Sequence, residues 1–128
     1  MKSAVYRIQT ERLVLRCWAP TDAPRMRCAI DESDAHLRPF IPFMRHEPRS
    51  LEQTIQWLRQ IRSQFDTDEH YRYSIFDLGE ETLLGEVMLI DRDGEGRWEL
   101  GYWLHVDHGG RGYATEAAAA LTQVALVA

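Results

Sequence analysis

Three runs of alternating side chains, set between residues 71 and 106, constrain this sequence more than any other feature. Tyr71-Arg72-Tyr73-Ser74-Ile75-Phe76 carries the period of a β-strand, residues 83–90 repeat it, and residues 97–106 repeat it again. Asp77-Leu78-Gly79 opens the first turn, and Asp91-Arg92-Asp93-Gly94-Glu95-Gly96 makes the second. Connections this short suit strands that run back on their neighbours, so an antiparallel meander is predicted. The third strand places Trp98, Leu100, Tyr102, Leu104 and Val106 on one face. At a sheet edge it would be an exposed template for a second chain.

The first half of the chain supplies one more strand and two helices. Arg12 to Trp18 alternates, with Leu13, Leu15 and Cys17 on one side. Thr21-Asp22-Ala23-Pro24 offers a cap, an acid and a first-turn proline, with Met26 and Ile30 on the apolar side of the helix that follows. Residues 34–50 read as a long connector with three prolines. Its centre, Leu37-Arg38-Pro39-Phe40-Ile41-Pro42-Phe43-Met44, is apolar enough to pack on the core or line a pocket. Ser50-Leu51-Glu52-Gln53 is a capping box, after which Leu51, Ile55, Leu58 and Phe65 follow one helical face. An Ala-rich helix, residues 114–128, closes the order β-α-α-β-β-β-α, an α/β layered domain with helices over a mostly antiparallel sheet. That helix ends without Gly, Pro or a basic last turn, so the pattern reads as cut inside the domain.

At 128 residues the natural count is one domain, spanning 1–128. The formal charge of −5, with one Lys and fourteen scattered Arg, lacks the basic stripe of a nucleic-acid binder. Neither a membrane-spanning apolar run nor a secretory leader is evident, which makes the cytoplasm the default and a membrane partner unexpected. Cys17 and Cys28 have no zinc or redox-motif spacing and read as free thiols.

Chemistry is concentrated where the last strand passes into the last helix. In His108-Gly109-Gly110-Arg111-Gly112-Tyr113-Ala114-Thr115-Glu116, glycines bare the backbone N–H groups and a helix N-terminus adds unpaired donors. A phosphate or pyrophosphate suits such a turn, although many Gly-rich turns are only tight connections. A Walker loop is excluded because the sole Lys is Lys2, and a Rossmann fingerprint lacks its third Gly and its ribose-binding acid. His105 and His108 have no spaced third ligand, so no metal is expected.

Glu99-Leu100-Gly101-Tyr102-Trp103-Leu104-His105-Val106 followed by Gly110-Arg111-Gly112-Tyr113-Ala114-Thr115-Glu116-Ala117 resembles the acetyl-CoA motif of the GNAT N-acetyltransferase superfamily. The flavour is that of the RimJ/RimL type, which acetylates ribosomal-protein N-termini. Thr10-Glu11-Arg12-Leu13-Val14-Leu15-Arg16 and the loop 37–43 resemble the same group.

The resemblance implies a GNAT-like acyl-CoA N-acyltransferase fold lacking its C-terminal strands and last helix. It also implies acetyl transfer from acetyl-CoA to a primary amine, on a protein N-terminus or a small molecule, with no metal. Backbone groups of Leu104, His105 and Val106 would bond the pantetheine arm. Gly110, Arg111, Gly112, Tyr113, Ala114 and Thr115 would cradle the pyrophosphate. Gly109 departs from the Gln or Arg common three residues before the central Gly. Glu99 matches the position of a catalytic base, with partial burial beside Trp103 raising its pKa; Glu86 is second choice, a position more often simply exposed. Phe40, Phe43 and Met44 would shape the acceptor pocket or pack in the core, and Trp57, Trp98 and Trp103 would fill the core or the strand–helix interface. The general acid of the family lies beyond the motif helix. The alternative reading is a non-catalytic acyl-CoA-binding or self-associating domain, with a homodimer formed through the exposed strand edge.

Overall fold

A computed structural model describes residues 5–127. Five strands, β1 (Arg7–Gln9), β2 (Leu13–Cys17), β3 (His70–Asp77), β4 (Leu83–Asp91) and β5 (Trp98–Leu104), form one sheet in sequence order. Every neighbouring pair is antiparallel. Helices α1 (Ala23–Leu37) and α2 (Leu51–Asp66) intervene between β2 and β3, and α3 (Tyr113–Val127) follows β5. The expected order stands, with one addition. The short β1 folds back on β2 through the Thr10-Glu11-Arg12 turn, closed by a 2.9 Å bond from the Thr10 N–H to the Leu13 carbonyl.

The sheet separates two apolar layers. On one side Val14, Trp18, Phe76, Leu83 and Trp103 pack with Met26 and Ile30 of α1 and Leu58 and Ile61 of α2. On the other, Leu13, Leu15, Ile75, Val87 and Leu89 pack with Ala117 and Leu121 of α3. Leu13, Val14 and Leu15 are all solvent-free, because β2 is covered on both faces.

Local details refine the sequence reading. The capping box forms as predicted: Ser50 Oγ accepts from the Gln53 N–H at 3.1 Å, and Gln53 Oε1 accepts from the Ser50 N–H at 2.8 Å. The buried face of α2 is Thr54, Leu58, Ile61 and Phe65, while Leu51 is exposed. Asp22 does not cap α1 through its side chain; its carboxylate instead receives Arg16 and the Ala19 N–H. Helix α1 runs on to Leu37, shortening the connector.

An irregularity in β4 matters for the site. Ile75 pairs with Gly85 and Phe76 with Leu83, which leaves Leu84 as an extra residue on β4. A side chain on Gly85 would run into the Trp103 carbonyl oxygen, so only glycine lets β4 and β5 approach this closely opposite Leu104.

Candidate active site

Helix α3 begins directly after the glycine-rich turn. Gly110 and Gly112 have φ of 76° and 77°, the left-handed region that glycine occupies without steric cost. The first helical N–H groups have no intrahelical acceptor. Among the described residues, none of the N–H groups from Gly110 to Thr115 has a hydrogen-bond partner in the chain. All of these residues but Arg111 line a cavity of about 500 Å³, one side of which is Gly109, Gly110, Gly112, Tyr113, Ala114 and Thr115. His36, Leu37, Phe40 and Ile41 from the end of α1 and the connector form the opposite wall, and Tyr102, Trp103 and Leu104 of β5 form the floor.

A second cavity, also about 500 Å³, opens on the face of the sheet covered by α1 and α2. Its walls are Phe43 and Trp57, Gln60 and Gln64 of α2, and Met88, His70 and Arg72 of the sheet. Both cavities share Phe40, Ile41, Tyr102 and Trp103. Phe43 packs on Trp57 with ring centroids 5.1 Å apart and on Trp103 at 6.0 Å. Phe40 is 78% exposed at the rim. Trp103 is buried as expected, Trp57 is half-buried, and Trp98 is partly exposed, stacked on Tyr71 at 5.3 Å.

The predicted burial of Glu99 is corrected by the structure. Its side chain is 59% exposed and bonded to Arg92 Nε at 2.5 Å, at the outer end of β5. It does share a strand face with Gly101 and Trp103, and its partner Arg92 borders the second cavity. Glu86, expected to be exposed, is solvent-free and saturated with donors. Oε1 accepts from Trp103 Nε1 at 2.8 Å and Arg72 NH2 at 2.9 Å; Oε2 accepts from Trp18 Nε1 at 2.8 Å and Arg72 Nε at 3.0 Å. A carboxylate with its lone pairs engaged by two indoles and a guanidinium positions those groups and has no room to accept a proton from an amine.

The backbone of β5 also corrects the pantetheine expectation. The His105 N–H donates to the Leu84 carbonyl at 2.8 Å, so residues 99, 101, 103 and 105 point their backbone groups inward to β4. Leu104, Tyr102 and Leu100 point theirs outward along the edge. The His105 carbonyl is used too, accepting from the His108 N–H at 2.9 Å, and the Val106 N–H donates to Ser33 Oγ at 3.0 Å. Leu104 thus keeps outward groups for an added strand, whereas His105 and the Val106 N–H are committed inside the protein.

Glu32, His105 and Asp107 bring one ligand atom each within 4.8 Å of one another. Both His105 nitrogens are already engaged. Nδ1 accepts the Asp107 N–H at 3.0 Å, which leaves the proton on Nε2, 2.8 Å from Glu32. That pattern caps the turn 106–108.

The match to the acetyltransferase (GNAT) domain family extends over residues 12–128. The chain belongs to that family. Solved structures carry the same fold as this GNAT domain. A Vibrio cholerae protein assigned as a ribosomal-protein-serine acetyltransferase is 25% identical, with a TM-score of 0.77 over 94% of this chain and 66% of its own. RimL, the ribosomal L7/L12 alpha-N-protein acetyltransferase solved with coenzyme A, superposes with a TM-score of 0.81 at 18% identity, over 92% of this chain and 66% of its own. The microcin C7 self-immunity acetyltransferase MccE, solved with acetyl-CoA and AMP, gives 0.75 at 17% identity, over 90% and 63%. The chain therefore spans about two-thirds of the length of these neighbours. No curated protein matches the sequence. Among the described residues of this GNAT domain, no helix is long and apolar enough to cross a membrane.

Two residues outside the sequence-derived set, Arg12 and Glu116, hold the glycine-rich turn in place. Their separation of 104 residues hides the pairing from any local pattern, although both stand within segments that carried the family resemblance.

Proposed function

We propose that this GNAT domain transfers the acetyl group of acetyl-CoA to a primary amine, on a protein N-terminus or a small molecule. The observation that carries the reading is the meeting of two cavities at Trp103, one of them walled by unpaired N–H groups at a helix start. Glycine-rich donors of this kind suit a pyrophosphate. The residues fit the co-substrate: Gly109 and Gly110 have open space where a Cβ would stand, so a phosphate can approach the backbone. Leu104 offers its outward backbone groups to the pantetheine amides, and the N–H groups of Gly110 to Thr115 hold the diphosphate. Acetyl-CoA supplies an activated thioester.

The acceptor amine enters from the second cavity, between Phe40 and Phe43. Glu99, released from Arg92, takes the ammonium proton, directly or through water, so that the nitrogen lone pair can attack. The N–C bond forms as the C–S bond breaks, and the second proton, shed by the acylated nitrogen, passes through water to the departing thiolate. The two free cysteines, Cys28 exposed and Cys17 buried, fit a reducing compartment such as the cytoplasm. The partly exposed Trp98, Leu100 and Tyr102 along β5 support pairing of two copies at that edge.

The test is thiol release from acetyl-CoA by the purified chain with a panel of amines and amino-terminal peptides. Release that depends on the amine is expected, with turnover reduced about 100-fold and the pH–rate profile altered in Glu99→Gln. Bound coenzyme A with no release at any amine concentration would establish the non-catalytic reading. Sizing the same sample with and without coenzyme A tests edge pairing, since a dimer formed at β5 would cover Leu104; a monomer under both conditions rejects it.

A further inference from the structure

We infer that Arg12 is a positioning residue for the anion-binding turn, aiming the Gly112 N–H into the cofactor cavity; the inference rests on the acetyl-CoA reading above. Arg12 stands at the foot of β2, yet its guanidinium reaches across to the start of α3. NH1 donates to the Arg111 carbonyl at 2.9 Å, Nε donates to Glu116 Oε1 at 2.7 Å, and the backbone N–H donates to Glu116 Oε2 at 3.0 Å. Thr10 Oγ1 donates to the same carboxylate at 2.5 Å. The guanidinium also lies 4.7 Å from the Tyr113 ring centroid. One side chain therefore grips three residues of the turn and of the first helical turn, Arg111, Tyr113 and Glu116.

The bond to Arg111 has a directional consequence. In a trans peptide the carbonyl and the following N–H point opposite ways. Holding the Arg111 carbonyl against Arg12 turns the Gly112 N–H away from Arg12, and Gly112 lines the cavity while Arg12 does not. A left-handed φ at Gly112 lets the chain make this turn. Without Arg12, that peptide plane is free to rotate and the donor is lost from the cradle.

Charge reinforces the geometry. Glu116 sits in the first turn of α3, where a free carboxylate would repel an incoming diphosphate. Burial raises its pKa, but the bonds from Thr10 and Arg12 outweigh it and hold the carboxyl below its ordinary value. Glu116 is thus an anion matched by Arg12, and the N–H groups of the turn keep their positive field for the ligand.

The experiment measures coenzyme A affinity by calorimetry, and the Gly112 amide signal by ¹⁵N–¹H NMR, in wild type, Arg12→Gln and Arg12→Lys. A lysine retains the charge but cannot hold Glu116 and the Arg111 carbonyl with a rigid fork. Both variants are expected to bind coenzyme A about tenfold more weakly and to move the Gly112 signal. Wild-type affinity in either variant, or an unmoved Gly112 signal, overturns the inference. Should Arg12→Gln fail to fold, the lysine variant alone decides. If coenzyme A fails to bind the wild-type chain while Gly112 still shifts in the variants, the acetyl-CoA reading falls and the positioning of the turn stands.

Discussion

At the scale of single residues, Glu86 explains why two tryptophans far apart in the sequence, Trp18 after β2 and Trp103 on β5, converge on one point. Its four donors come from positions 14, 17 and 68 residues away, so they meet only after β2, β3, β4 and β5 have assembled. Buried ion pairs are costly to form and more costly to break, because removing one partner leaves the other charged and dry. Glu86→Gln puts an amide NH₂ against an indole N–H and leaves Arg72 uncompensated. The expected loss is about 3 kcal/mol of stability, read from urea unfolding, with a change in tryptophan emission as Trp103 loses its anchor. The same residue shows where sequence reading stops. Alternation placed Glu86 on a strand, but nothing local distinguishes an exposed carboxylate from one that four donors enclose. The glycine turn was legible for the opposite reason: its function lies in the backbone, and the glycines announce it. Glu99 was legible by position and not by environment, since the Arg92 that faces it belongs to the preceding loop.

At the scale of elements, the connector between α1 and α2 determines both cavities, because Phe40, Ile41 and Phe43 all stand on it. It is held from below by a buried ionic knot. The Glu47 carboxylate, with no exposed side-chain surface, receives Arg27 NH2 at 2.5 Å, Arg49 NH1 at 2.7 Å and the Arg49 N–H at 3.0 Å. Arg27 also reaches Thr54 Oγ1 on α2 at 2.9 Å, which ties both helices to the loop. Arg27→Met is expected to cost about 3 kcal/mol in urea unfolding and, by loosening the wall, to raise the acceptor KM more than it lowers kcat. An unchanged KM with reduced stability would show that the wall does not depend on the knot. Most elements could be read from the sequence because capping, period and turn chemistry agreed, as at Ser50 and Gln53. The exceptions have clear causes. Strand β1 is three residues long, too short to show a period, and Leu51 fits the helical spacing yet is the first residue of α2 and stays exposed.

At the scale of the whole molecule, the ionisable groups with shifted pKa values predict how stability follows pH. Burial, helped by Arg72, lowers the pKa of His70; burial, helped by His105 and Arg111, lowers that of His108. For both, the unfolded chain takes up its proton first, so stability falls as pH drops below about 6.5 and levels off once the folded form is protonated too. Glu47 and Glu116 act lower. Burial raises each, but Arg27 and Arg49 in one case, and Thr10 and Arg12 in the other, bring the pKa below the ordinary 4.5. Their stabilisation is present above that value and is lost as pH falls through the folded pKa. All four groups therefore push the same way, in two separate windows. Urea midpoints measured from pH 8 to pH 3 are expected to be flat above 7, to decline gently from about 6.5, and to fall steeply below about 4.5. In His70→Asn the gentle decline should shrink while the steep fall remains. A profile flat from pH 7 to pH 5 in the wild type would mean that neither histidine is held neutral by the fold.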